Sequence, residues 1–266
     1  MRDIKLVVTD LDGTLLAPDK SIPQDAVDAV AALAKRDILF TFVTGRPHIA
    51  VERFARRLMI TAPMLTCNGA IIFDGEKVLS RHSFALERLK NLACEAASNG
   101  FTVLIYQGDI EYSLSETAWA IERQKAGRAI PLRKPYEIKW TTESADKLNI
   151  MTEKDSREFD TLLGLIDEVK DAYSVTIYDN SGCEIVAKGI NKAAGLHELC
   201  KLLNLEVKNV LAVGDNANDN EMLMKSGVGA AVANAAPSTK LYADYLCKAS
   251  FTEGVIEAIY TIALNQ

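Results

Sequence analysis

Two carboxylates spaced two residues apart at the end of an apolar run are the first chemical signal in this sequence. Asp10 and Asp12 follow the run at residues 5–9, and Gly13 comes next. On an extended chain residues two apart share a face. The strand should hold Asp10 rigidly, while Gly13 lets the chain turn and leaves Asp12 free to swing. A second apolar run, residues 209–213, ends in Gly214-Asp215-Asn216-Ala217-Asn218-Asp219, which adds further carboxylates. Converging carboxylates repel one another unless a cation sits among them, and Mg2+ prefers oxygen donors of this kind. Phosphoryl oxygens can complete the metal shell and have their own charge neutralised there.

A third run, residues 39–43, delivers Thr44-Gly45-Arg46. The Thr44 hydroxyl and the backbone N–H groups of a helix starting near Pro47 suit a phosphate oxygen. The missing positive charge is best supplied by Lys192, at the start of another helix. Each feature also has a plainer reading: Asp-x-Asp-Gly as an ordinary turn, Thr-Gly-Arg as a helix cap, Lys192 as a solvated lysine. Their joint arrival at strand ends favours one site, because ligands of open α/β sheets bind outside the carboxyl ends of the strands.

The elements that must position these residues can be read from hydrophobic pattern. The runs at 5–9, 39–43 and 209–213 are nearly continuous apolar stretches, as expected of strands buried on both faces of a parallel sheet. Helical periodicity covers 23–35, 47–58, 191–203 and 253–264, with Pro23 and Pro47 suited to first turns. Strand–helix alternation at both ends of the chain predicts an α/β fold, a doubly wound parallel-sheet, Rossmann-like core. The middle differs. A helix at 86–98, a hairpin of 101–106 with 111–114, a helix near 116–125, a strand at 147–151, a helix at 156–169 and strands at 174–178 and 184–187 make an α+β block. The expected organisation is therefore a core of residues 1–83 and 187–266, interrupted by an inserted domain at 84–186.

Composition narrows the function classes. The 266 residues are 48% hydrophobic and 25% charged, which is ordinary for a globular protein. A net charge of −6 gives no electrostatic footprint for nucleic acid or an anionic membrane. No run approaches the length of a membrane span. The start of the chain passes directly into a strand pattern, without a signal-peptide hydrophobic region. Five scattered cysteines form no metal-like spacing, so reduced thiols and a cytoplasmic location are expected. The oligomeric state is not legible.

Taken in order along the chain, these motifs resemble the haloacid dehalogenase (HAD) superfamily. Asp10-Leu11-Asp12-Gly13-Thr14-Leu15 is similar to its first motif, Thr44 to its second, Lys192 to its third, and Gly214-Asp215 with Asn218-Asp219 to its fourth. The run Gly-Asp-x-x-Asn-Asp-x-x-Met ending at Met222, with Asn68-Gly69-Ala70 and a large α/β cap, resembles the Cof-type phosphatases. The resemblance implies an Mg2+-dependent phosphatase acting on small phosphorylated metabolites, with sugar phosphates first among them. It further implies that Asp10 attacks phosphorus to form an aspartyl-phosphate, while Asp12 serves as general acid and then base. Mg2+ would be held by Asp10, the Asp12 carbonyl and Asp215, with Asp219 in direct or supporting contact. Thr44, Gly45, Lys192 and Asn218 would grip the phosphate, and the loops of the cap would set specificity.

Arg46, His48 and Asn68 are the further candidates for substrate contact. Each has a competing reading; His48 suits a surface helix position, and Asn68-Gly69 a tight turn. Two places depart from the family pattern. Arg36-Asp37-Ile38 lacks the usual glycine, which Asp37 can replace by adopting a left-handed conformation. Residues 249–255 stand in place of the polar run found in relatives. Two other functions remain open: a phospho-signalling receiver, disfavoured by Asp12 and the cap, and a sugar phosphomutase of similar architecture.

Overall fold

The computed structural model describes residues 3–108, 110–125, 130–152, 156–178 and 182–265. The chain divides into two compact units, Met1–Ser80 with Asn191–Gln266, and Arg81–Ile190. The first is built on a parallel sheet of five strands. Their order is Tyr245–Leu246, Val228–Ala231, Val210–Gly214, Leu6–Thr9 and Leu39–Phe42. Leu6 is opposite Val210 on one side and Leu39 on the other. Every residue of Leu6–Thr9 and Val210–Gly214 is buried. This explains their unbroken apolar character, since a strand covered on both faces has no solvent side on which to alternate.

Helices Gln24–Ala34, Lys192–Leu202 and Phe251–Ala258 belong to this unit. Asp37 follows the first of them with φ of 56°, the left-handed conformation anticipated for it. The helical stretch expected at 47–58 breaks in two: a single 3₁₀ turn, His48–Ala50, precedes Glu52–Leu58. The stretch expected at 253–264 starts at Phe251 and passes into a π-turn, Ile259–Ala263. A small antiparallel sheet, Met64–Thr66, Ile71–Phe73 and Val78–Arg81, was not foreseen as such. A single bridge between Val43 and Leu65 links it to the end of the main sheet.

The second unit has a five-stranded antiparallel sheet in the order Tyr173–Tyr178, Gly182–Ala187, Lys147–Met151, Thr102–Gln107 and Ile110–Ser113. Here the strands do alternate. Val103, Ile105, Leu148, Ile150 and Ile185 join one core with Leu92 and Ala96 of helix Lys90–Ser98 and Leu162 and Ile166 of helix Ser156–Asp167. Residues of the opposite parity include Lys147 and Glu184, an ion pair at 2.7 Å. No helix among the described residues is long and apolar enough to cross a membrane.

Candidate active site

The carboxyl ends of three adjacent strands of the main sheet, Val210–Gly214, Leu6–Thr9 and Leu39–Phe42, carry most of the residues singled out from the sequence. Asp10 follows Leu6–Thr9, and its N–H donates to Val213 O at 2.9 Å, so it remains tied to the neighbouring strand. Its carboxylate is almost entirely buried. Asp10, Asp215 and Asp219 each place an oxygen within 4.8 Å of the others. Burial raises the Asp10 pKa well above the usual carboxylate value; Lys192 opposes this shift, whereas Asp219 and Asp215 reinforce it. Burial likewise pushes Asp215 up to about 6.

Lys192 answers this concentration of negative charge. It is 1% exposed, and its Nζ donates to Asp10 Oδ1 at 2.6 Å and to Asp219 Oδ1 at 2.7 Å. Burial disfavours its charge, but the two carboxylates outweigh burial and raise its pKa above the usual lysine value. A lysine is rarely buried to this degree unless it is paired. Its helix is fixed at the start by Asn191, whose Oδ1 accepts from Ala194 N–H at 2.8 Å as an N-cap. Asn191 Nδ2 also donates to Glu221 at 2.6 Å. The reading of Lys192 as a solvated lysine is thereby set aside.

Asp219 is wholly buried, and both of its oxygens are engaged: Oδ1 by Lys192, and Oδ2 by the N–H groups of Asp215 and Asn216 at 3.1 Å each. It shapes the loop that presents Asp215. Thr14 donates to Asp215 Oδ1 at 2.6 Å. Gly13, at φ of 85°, passes so close that a Cβ there would sit 2.4 Å from Asp215 Oδ2. Gly13→Ala is therefore expected to displace Asp215 and weaken divalent-cation binding at least tenfold by calorimetry. Wild-type affinity in that variant would show that the close approach is not needed.

The donor set fits a divalent cation. The buried carboxylates of Asp10 and Asp219 and the half-buried one of Asp215 face one ammonium, which leaves a charge excess of two, and the donors are all oxygen, as Mg2+ requires.

Asp12 lies at the edge of this cluster, with half of its side chain exposed. It does not swing freely here: Arg46 grips it with two donors, Nε to Oδ2 at 2.6 Å and Nη2 to Oδ1. The Arg46 guanidinium also lies over the Phe54 ring, 5.4 Å from its centroid. Arg46, expected to face substrate, is thus committed to Asp12. His48 was expected near an entrance on a helix surface; it is instead buried, its ring 4.7 Å from that of Phe73. The N-terminus envisaged at Pro47 as an anion site is only the short turn described above.

Thr44 is buried, and its hydroxyl accepts the Arg46 N–H at 3.2 Å, which folds Thr44-Gly45-Arg46 back on itself. This loop is braced by the turn Cys67–Gly69. Cys67 N–H donates to Arg46 O at 3.0 Å, and Asn68 N–H to Thr44 O at 2.9 Å. Cys67 and Asn68 adopt φ of 50° and 52°, a left-handed pair that costs on the order of 1–3 kcal/mol per residue and persists only where surroundings enforce it. The enforcing contact is close packing of Gly69 on the Lys192 helix: a Cβ at Gly195 would lie 2.7 Å from Gly69 Cα. Asn68 Oδ1 accepts from Asn218 Nδ2 at 3.4 Å, so these two candidates do meet.

Sequence reasoning missed three residues that act on the Asp12 loop. Asn234 Nδ2 donates to Gly13 O at 2.7 Å, and Thr252 Oγ1 to Leu15 O at 2.6 Å. Phe251, left-handed at φ of 52°, gives its N–H to Asn234 Oδ1 at 2.8 Å. No local pattern signals such contacts, because each joins a side chain to a backbone group more than two hundred residues away or to a strained turn.

The chain is similar to known proteins along almost its whole length. The haloacid dehalogenase-like hydrolase family matches residues 7–259. The chain is 27% identical over 259 residues to 5-amino-6-(5-phospho-D-ribitylamino)uracil phosphatase YcsE of Bacillus subtilis, spanning 97% of this chain and 95% of that one. It is 24% identical over 267 residues to pyridoxal phosphate phosphatase YbhA of Escherichia coli, spanning 97% and 98%. Among solved structures, a HAD/COF-like hydrolase from Plasmodium vivax superposes with a TM-score of 0.85 at 26% identity, covering 99% of this chain and 96% of that one. With nearly the whole chain matched, and with the aspartates, lysine and threonine gathered at one sheet edge, the chain belongs to the haloacid dehalogenase-like hydrolases, in their Cof-type phosphatase branch.

Proposed function

We propose that this protein is an Mg2+-dependent phosphatase that cleaves phosphate monoesters of small metabolites through an aspartyl-phosphate on Asp10. The observation that carries this reading is the buried Lys192 ammonium bridging Asp10 and Asp219 beside Asp215. A carboxylate nucleophile can approach an anionic phosphate only where the surrounding negative charge is neutralised. Asp10 and Asp215, with the Asp12 carbonyl, would hold Mg2+, which supplies charge neutralisation for the phosphoryl oxygens.

The residues of the chain then divide the work. Lys192 holds one Asp10 oxygen and leaves the other to attack phosphorus in line. Asp12, held at the site edge by Arg46, protonates the departing alcohol and then takes a proton from the water that hydrolyses the aspartyl-phosphate. Thr44, Gly45 and Asn218 position the phosphoryl group, with Asn68 behind Asn218. Asp219 acts from behind, orienting Lys192 and the Asp215 loop.

For the leaving group, sugar phosphates are the first expectation. The relatives named above act on a phosphoribitylamino pyrimidine and on pyridoxal phosphate, so both esters belong in the test. Phosphate release from a panel of phosphorylated metabolites should require Mg2+, stop with EDTA, and favour one group of esters. Mutase product formed without free phosphate would overturn the hydrolase reading.

Metal binding should also appear as a pH-dependent stabilisation. Asp215 titrates at about 6 in the folded metal-free protein, against an ordinary value of 3.8. A raised carboxylate pKa contributes stability that is complete below the unfolded value and is lost as pH rises through the folded one. Metal-free protein should therefore lose melting temperature between about pH 4 and pH 6, with Asp10 acting in the same direction. Mg2+ competes with those protons, so at ~100 times its Kd it should add about 2.7 kcal/mol at pH 7.5 and much less at pH 5. Equal thermal shifts at both pH values would exclude these carboxylates as its ligands.

A further inference from the structure

The loop that carries Asp12 is tied down through three side chains, Thr14, Thr252 and Asn234, to which no chemical step is assigned above. Thr14 is bonded to Asp215. Thr252 Oγ1 donates to Leu15 O at 2.6 Å in a buried contact. Asn234 Nδ2 donates to Gly13 O at 2.7 Å, one residue beyond Asp12. Gly13 at φ of 85° gives the loop its turn, and glycine backbone is the most permissive of any residue. Without an outside partner for the Gly13 carbonyl, the Gly13–Thr14 peptide could rotate about the permissive glycine torsions and shift the backbone of Asp12 with it.

Asn234 is itself held from the other side by the Phe251 N–H at 2.8 Å. A bulky residue rarely adopts φ of 52°, and such strain persists where the surroundings over-determine it and where function benefits. Phe251 and Thr252 are consecutive. One reaches Gly13 through Asn234, and the other reaches Leu15 directly. The start of helix Phe251–Ala258 is thereby joined to both sides of Thr14.

We propose that Asn234 is a positioning residue for the acid–base group: by fixing the Gly13 carbonyl it sets the backbone from which Asp12 reaches the leaving-group oxygen. This rests on the reading of Asp12 as general acid. Arg46 fixes the carboxylate end of Asp12, and Asn234 fixes its backbone end.

The leaving group supplies a test that a merely structural role would not pass. An alkoxide needs a proton as it departs, whereas nitrophenolate does not. General-acid assistance accounts for about 10²–10⁴ of the rate with the former alone. In Asn234→Ala, turnover of a hexose phosphate should fall about tenfold or more with KM little changed, while p-nitrophenyl phosphate should lose less than about threefold, as partial loss of that assistance requires. Asn234→Asp keeps the acceptor for Phe251 N–H but, as a carboxylate, cannot donate to Gly13 O; it should show the same split. Amide exchange in residues 11–16 should quicken in both variants while the rest of the core sheet is unchanged.

Equal losses on the two substrates, or wild-type rates in Asn234→Asp, would overturn the proposal. The exchange measurement stands apart from catalysis: unchanged protection at 11–16 would overturn it even if the hydrolase reading held. A wild-type protein that releases no phosphate from either ester would sink the hydrolase reading, and faster exchange at 11–16 would still support Asn234 as the tie on this loop.

Discussion

Asp10→Asn should abolish phosphate release without making the protein less stable. The amide has the shape of the carboxylate but cannot attack phosphorus. Deleting a covalent nucleophile costs on the order of 10⁴–10⁶ in kcat. Stability should move the other way. Burial and two neighbouring carboxylates already drive Asp10 toward its neutral form, so a neutral isostere removes repulsion from Asp215 and Asp219 while Lys192 keeps Asp219 as partner. Metal-free Asp10→Asn should therefore melt at or above the wild-type temperature near pH 7, by differential scanning calorimetry, with a smaller response to Mg2+. Residual turnover above about 1% of wild type would show that another group attacks phosphorus.

Lys192→Met should have the opposite effect on stability and nearly as large an effect on rate. The methionine fills most of the lysine volume, so little cavity is created, and what is lost is the ammonium. Removing one partner of a buried ion pair costs about 3–5 kcal/mol, because the remaining charge stays buried and uncompensated. Here two carboxylates, Asp10 and Asp219, would be left without their cation. Metal-free protein should lose that stability near pH 7 and recover part of it on acidification, as the carboxylates take up protons. Turnover should fall about 10³-fold, the scale expected when an electrostatic donor at a developing charge is removed. A Lys192→Met protein with wild-type melting and turnover would mean that the bridge seen between Asp10 and Asp219 is not what neutralises the site.

The contrast between these variants reflects what the sequence could and could not convey. Parallel strands buried on both faces must be apolar throughout, so the runs ending at Asp10, Thr44 and Asp215 could be identified, and the rule that ligands gather at carboxyl ends brought them together. Lys192 was inferred from charge alone; the cluster needed a cation. Asp37 could be placed through the resemblance, because it stands where relatives have glycine and aspartate can take the same left-handed conformation. Arg46 and His48 could not be placed this way. Pro47 marked a helix start, but the chain makes only one 3₁₀ turn there, which points His48 inward against Phe73 while Arg46 turns to Asp12. The small sheet Met64–Thr66, Ile71–Phe73, Val78–Arg81 escaped because strands of three or four residues carry too little periodicity to register. Asn234 and Thr252 were invisible for another reason. Their contacts are to backbone carbonyls, and a carbonyl leaves no mark in residue type.

The central claim is the covalent role of Asp10, and the most direct test is to trap the phosphoryl group. Asp12→Ala, mixed with Mg2+ and p-nitrophenyl phosphate and then acid-quenched, should gain the mass of one phosphoryl group per chain, since the base that would hydrolyse the intermediate is gone. Borohydride reduction followed by peptide mass spectrometry should then place homoserine at position 10. Homoserine elsewhere, or steady turnover with no phosphoryl group on the protein, would contradict the account.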